Sequence, residues 1–166
     1  MELQAYRKLM RHHAGAPVII ATGAPGNRTG LTATAFCSLS DTPPTVIVCV
    51  NRNASAHPLI RETGCFSVNL LREGQEDTAL KFAGQTGLKG EARFDERWSV
   101  GETGAPLMLS ALASLDCELI QSMDYESHTI FVGLVRGAQA DENGEPMLYF
   151  RGSFTGLQTP APAVTA

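Results

Sequence analysis

The sequence predicts an all-β barrel decorated with short helices, and three patterns point to it. Stretches such as Gly30-Leu-Thr-Ala-Thr-Ala-Phe-Cys-Ser-Leu-Ser40 alternate apolar with small hydroxyl residues at period two. Runs such as Thr45-Val-Ile-Val-Cys-Val-Asn51 are continuously apolar and β-branched, as in buried strands. Pro, Gly and Asn punctuate the chain at short intervals, and the regular β-α-β alternation of a doubly wound sheet is missing.

In chain order, residues 2–14 place Leu3, Tyr6, Leu9, Met10 and His13 three or four apart. This is an amphipathic helix, stopped by Gly15 and Pro17. Residues 17–22 read as a short buried strand and 24–29 as a Pro-Gly-Asn turn, so the first two strands form a hairpin. The second strand runs through residues 30–40, and Gly30 allows a bulge or a tight approach. Asp41-Thr-Pro-Pro44 is a rigid connector to a third strand at 45–50. Ser55 is the expected N-cap of a helix reaching about Glu62, and Gly64 ends it. Residues 65–71 alternate again as a strand, and Glu76 to Phe82 is a short helix with an acidic start. Residues 85–105, rich in Gly and charge, are expected to form a long surface loop of the kind that carries function or an interface. Strands follow at 112–123, 128–140 and 147–151, the last two joined by a hairpin turn at Asn143-Gly144. Residues 158–166 are expected to be a disordered tail beyond one domain spanning 1–157.

Composition excludes several function classes. The chain is 43% hydrophobic and 18% charged, the balance of an ordinary globular protein. No apolar run reaches the roughly 20 residues that span a bilayer, and the N-terminus lacks an apolar signal region, so a soluble cytoplasmic protein is expected. The net charge is −4 with scattered basic residues, which argues against nucleic acid. The 4 cysteines form no C-x-x-C pair and have no histidines at zinc-finger spacing, so reduced structural thiols are expected. Cys37 alone stands among hydroxyl residues, where a ligand could lie near it. The glycines fit neither G-x-G-x-x-G nor G-x-x-x-x-G-K-[ST], so a nucleotide cofactor must be held another way. Asn51-Arg-Asn-Ala-Ser55 gathers a cation, two amides and a serine at a helix start, a set that suits a phosphate. Pattern alone equally supports a buried hairpin with a polar loop.

Residues 30–55, together with Phe66-Ser-Val-Asn-Leu70, Lys81-Phe-Ala-Gly84, Ala113-Ser-Leu-Asp-Cys-Glu118, His128-Thr-Ile-Phe-Val-Gly-Leu-Val135 and Leu148-Tyr-Phe-Arg-Gly152, closely resemble the flavin reductase family of two-component monooxygenases. The likeness runs from about residue 5 to 157, and it is the order and spacing of these stretches together that is specific. It implies a split β-barrel of the Greek-key, FMN-binding type working as a homodimer. It implies bound FMN, with FAD as the other option, and NADH or NADPH as co-substrate. The reduced flavin would pass to a separate flavin-dependent monooxygenase.

By the same resemblance, Thr32, Ala33, Thr34 and Ala35 line the isoalloxazine, and Ser38 and Ser40 lie near the ribityl and phosphate end. Asn51, Arg52 and Ser55 hold the phosphate, Phe66 and Asn69 approach from the next strand, and Tyr149, Phe150 and Arg151 lie close to the flavin. His128 is placed beside the nicotinamide. The family precedes this histidine with Gly-Asp, whereas here Glu126-Ser127 precede it, which changes the loop conformation and any carboxylate–imidazole pairing. Each residue also has a local reading: Ser55 a plain N-cap, Asn51 a turn residue, Phe66 and the 149–150 aromatics core, His128 surface. His12, His13 and His57 carry no motif. Two other functions use the same fold: a pyridoxamine-phosphate-oxidase-like enzyme, and a non-catalytic flavin- or haem-binding protein.

Overall fold

The computed structural model describes residues 1–157. Its elements are α1 (Leu3–Met10), β1 (Val18–Thr22), β2 (Thr29–Ala33), β3 (Phe36–Asp41), β4 (Pro44–Asn51), α2 (Ala56–Thr63), β5 (Cys65–Leu70), α3 (Glu76–Phe82), a 3-10 turn (Gly90–Arg93), β6 (Trp98–Val100), β7 (Pro106–Met108), β8 (Ala113–Tyr125), β9 (His128–Ala140), β10 (Met147–Phe150) and β11 (Ser153–Gly156). The architecture is mostly β with three short helices. Seven strands form one sheet in the order β2-β1-β5-β8-β9-β4-β3, and β6–β7 and β10–β11 form two small ribbons. No helix among the described residues is long and apolar enough to cross a membrane.

The two edges of the large sheet, β2 and β3, are consecutive in the chain and are linked through Thr34 and Ala35. The stretch expected as one strand over 30–40 is therefore two strands on opposite edges. Apolar side chains from both sides of the strand order meet in one cluster: Val18, Ile20 and Leu31 pack with Phe36, Val48 and Phe131. The sheet wraps around this cluster. Gly133 sits where strand and core come closest, since a Cβ there would lie 2.5 Å from Phe66 Cζ.

The apolar run of β1 reflects burial on both faces. Val18 and Ile20 enter the first cluster, while Ile19 and Ala21 enter a second with Leu71, Phe82, Trp98 and Met147. Fully burying side chains of this size stabilises by about 1.5–3 kcal/mol each.

Four further expectations change. Helix α1 ends at Met10, and its stripe of Leu3, Tyr6, Leu9 and Met10 is exposed, with no residue of the helix buried. Ser55 stands at the start of α2, but its hydroxyl makes no cap bond and instead pairs with Thr29 Oγ1 at 2.6 Å. Segment 85–105 is anchored, because Trp98 stacks edge-on to Phe94 at 4.8 Å and tilts against Phe82 at 5.4 Å. Asn143-Gly144 does turn the chain, with Asn143 N–H donating to Asp141 Oδ1 at 3.1 Å, but it does not pair β9 with β10. Both edges of β9 are already hydrogen-bonded, to β8 and to β4, so β10 pairs with β11, a strand the sequence pattern did not reveal. The tail expected at 158–166 lies outside the described residues.

Candidate functional site

Helix α3 builds one wall of the site. Glu76 and Asp77 in its first turn and Lys81 in its last complement the helix dipole. Thr78, Ala79 and Phe82 are its buried face. The Thr32 hydroxyl donates to the Ala79 carbonyl at 2.6 Å and pins β2 to the helix. Beside this junction opens a cleft of about 450 Å³. Ala33, Ala79, Leu80 and Ala83 contribute its small apolar surface, Tyr149 and Phe154 its aromatic surface, and Thr34 and Gln85 its polar groups. The volume lies in the range of small-molecule sites, roughly 300–1,000 Å³.

A second compartment of about 170 Å³ adjoins the first, sharing Ala83. Gly30, Ala54, Ser55, Gly84 and Arg93 line it. Arg93 donates from Nη1 to the Gly30 carbonyl and from Nε to the Leu88 carbonyl, both at 2.9 Å. Burial pulls its pKa down from the usual arginine value. Neither carbonyl neutralises the cation, so these contacts leave it able to receive an anion. Lys81 differs, because it pairs with Asp95 at 3.4 Å. Asp95 is held down to about 2, chiefly by its hydrogen bonds to Arg97. A flat ring with a phosphate-bearing arm suits the two compartments together.

The expected site residues fall into three groups. Thr32, Ala33 and Thr34 line the cleft, Ala35 follows them at the surface, and Ser55 lines the second compartment. Asn51, Arg52 and His128 gather elsewhere, at the turn between β8 and β9. Asn51 lies opposite His128 in the ladder, and Arg52 N–H donates to the Ser127 carbonyl at 2.9 Å. Arg52 Nη1 reaches the Glu126 carbonyl at 3.4 Å, and Ser127 Oγ lies 2.9 Å from His128 Nδ1. Glu126 takes the left-handed conformation at φ 48°, a region where glycine is at home.

The third group lies outside the cleft lining. Ser38 and Ser40 follow β3 away from it, and Ser40 Oγ accepts from Thr42 N–H at 3.2 Å. Phe66 is fully buried in the first core cluster. Asn69 is also fully buried, and its amide is committed to Ile19 O, Ser67 Oγ and Met108 N–H. Its work is to hold β7 to the sheet. Phe150 carries the exposed Arg151 guanidinium 5.0 Å above its ring, while the neighbouring Tyr149 and Gly152 line the cleft. Arg93, Ala83, Gln85 and Phe154 were not singled out from the sequence. Arg93 lies in the charged, Gly-rich segment Lys89-Gly-Glu-Ala-Arg-Phe94 and Ala83 in the Lys81–Gly84 stretch of the family resemblance, but neither residue stood out within them.

This cleft beside a wrapped antiparallel sheet defines a small-molecule-binding β protein. The model of the flavin reductase like domain matches residues 10–158, and the chain belongs to that family. It is 38% identical over 154 residues to the FMN reductase (NADH) RutF of Stutzerimonas stutzeri strain A1501, covering 93% of this chain and 88% of the relative. It is 35% identical over 161 residues to the 4-hydroxyphenylacetate 3-monooxygenase reductase component of Pseudomonas aeruginosa, covering 96% of this chain and 95% of that one. Among solved structures, the NADH:FAD oxidoreductase SgcE6 of Streptomyces globisporus aligns with a TM-score of 0.83 at 32% identity, over 93% of this chain and 92% of that chain.

Proposed function

We propose that the chain is an NADH-dependent flavin reductase that supplies reduced flavin to a separate monooxygenase component. The observation that carries this reading is the alanine-lined cleft, which meets at Ala83 a second compartment that presents Arg93 and Ser55. Ala33, Ala79 and Ala83 leave room for a flat tricyclic ring. Tyr149 and Phe154 offer it an aromatic surface. Arg93 receives the phosphate and Ser55 donates its hydroxyl there. A bound flavin would supply the hydride acceptor and a nicotinamide the donor, so the protein needs no nucleophile or metal of its own. His128 binds and orients the nicotinamide. FMN is the preferred flavin, with FAD also accepted.

The same reading closes the wrapped sheet into a split, Greek-key barrel, since β2 and β3 form its edges and adjoin in the chain. It also makes the enzyme a homodimer. Cys37, Ile47, Cys49, Ile130, Val132 and Met123 share the outer face of the β3–β4–β9–β8 sheet through their cross-strand register. Met123 is 55% exposed and the nearby Tyr125 72%, and exposed apolar side chains grouped on this face support the dimer reading. Free thiols at all four cysteines suit a reducing cytoplasm.

The test is NADH oxidation by the purified chain with FMN, FAD or riboflavin added. Turnover with FMN supports the reading, and no oxidation with any flavin overturns it. Visible absorbance retained on purification without any NADH turnover would favour the non-catalytic flavin- or haem-binding alternative.

A further inference from the structure

His57 carries no motif and lines neither compartment, yet it is held by a chain of contacts. Its Nε2 lies 2.8 Å from Thr129 Oγ1, and the Thr129 hydroxyl donates to Asp124 Oδ1 at 2.7 Å. A hydroxyl has one proton, so His57 Nε2–H must be the donor to Thr129. Arg61 closes the chain with an ion pair to Asp124. The His57 ring also packs on Phe131, with centroids 5.5 Å apart. Thr129 is fully buried and His57 partly so.

The chain joins two parts of the site. His57 stands in the first turn of α2, just after Ser55 and Ala56. Asp124 and Thr129 flank the β8–β9 turn, and Thr129 directly follows His128. The charged groups acting on His57 are Arg61 on its own helix, Asp124 on β8 and Arg52 on the link before α2. Burial, and then the charge of Arg61, hold its pKa below the ordinary histidine value, while the contact with Thr129 by itself requires the proton on Nε2.

We propose that His57 is a positioning residue: through Thr129 and Asp124 it fixes the β8–β9 turn, and with it His128, against the start of α2. This rests on the assignment of His128 to the nicotinamide. The turn needs such a tie because Glu126 occupies a left-handed conformation that a non-glycine residue holds only at a cost. The latch sets the distance between the phosphate end of the flavin and the group that orients the nicotinamide.

The experiment compares wild type with H57F, H57Q and T129V. H57F keeps a ring against Phe131 and loses the donor. H57Q keeps an amide donor. T129V keeps the shape and loses the hydroxyl. H57F and T129V should raise the KM for NADH about tenfold, with kcat within about twofold and FMN affinity unchanged. They should also speed hydrogen exchange at the amides of residues 127–129, and H57Q should restore both. Unchanged exchange and KM in H57F and T129V, or equal impairment of H57F and H57Q, overturns the latch. H128A run alongside separates two failures. A KM unmoved by H128A overturns the assignment of His128, whereas a KM raised in H128A but not in H57F or T129V overturns the latch alone.

Discussion

Arg93 Nη1 donates to the carbonyl oxygen of Gly30 at 2.9 Å. A cation from the charged segment after α3 is thereby fixed to β2, at the entrance of the smaller compartment. Gly30 permits this tight assembly, because a Cβ there would lie 2.8 Å from the Ile20 carbonyl and 3.1 Å from the Phe82 ring. If Arg93 receives the phosphate, Arg93→Met should weaken FMN more than riboflavin. A charge-assisted hydrogen bond of about 1.5–3 kcal/mol corresponds to a rise of roughly ten- to a hundredfold in the KM for FMN. Riboflavin, which lacks the phosphate, should keep its wild-type KM. Equal loss for both flavins in steady-state kinetics would remove Arg93 from phosphate binding.

Ala83 belongs to both compartments and is exposed. Ala83→Trp should crowd both compartments without disturbing the core. Fluorescence titration should show flavin affinity reduced at least about tenfold, with Tm shifted by no more than about 2 °C. Unaltered affinity would place the flavin elsewhere.

His128 sits opposite Asn51 at the β8–β9 turn and does not line the cleft. If it orients the nicotinamide, His128→Ala should raise the KM for NADH by about tenfold, the loss of one hydrogen bond to a charged or polar partner. Flavin affinity should stay within about twofold. Parallel losses of NADH and flavin binding would contradict this division of labour.

The sequence carried the strands and the lining of β2 more readily than the far wall of the cleft. Thr32, Ala33 and Thr34 are contiguous, so one alternating stretch displayed them together. Their partners Ala79, Ala83 and Phe154 come from distant segments, and alanine on a helix face reads only as a helix former. Phe66 and Asn69 were misleading for the opposite reason. A strand alternates its faces, and both side chains are spent on the interior, one on packing and one on three hydrogen bonds. The 30–40 segment read as one strand because its period-two pattern continues across Thr34-Ala35 while the chain changes edges. Asn143-Gly144 encodes a local turn, but it could not show that β9 had already been paired on both sides.

Acid sensitivity should trace in part to Glu91. Arg28 donates to it from its backbone N–H and from Nε, each at 2.9 Å. These bonds bring the carboxyl down from 4.5 to about 2. A carboxylate with a lowered folded-state pKa stabilises the fold above its unfolded value and loses that contribution as pH falls toward the folded value. Wild type should therefore melt above Glu91→Gln at neutral pH, with the gap shrinking between 4.5 and about 2. The pair is partly exposed, so added salt should narrow the gap as well. A gap independent of pH, measured by thermal melts, would assign the difference to something other than the charge.

The most direct test is anaerobic. Enzyme, NADH and FMN are mixed without oxygen, and the nicotinamide and flavin absorbances are followed together. Hydride transfer in this cleft predicts that both fall in one-to-one proportion, at a rate that collapses in Ala83→Trp. NADH loss without flavin bleaching, or bleaching that Ala83→Trp leaves untouched, would contradict it.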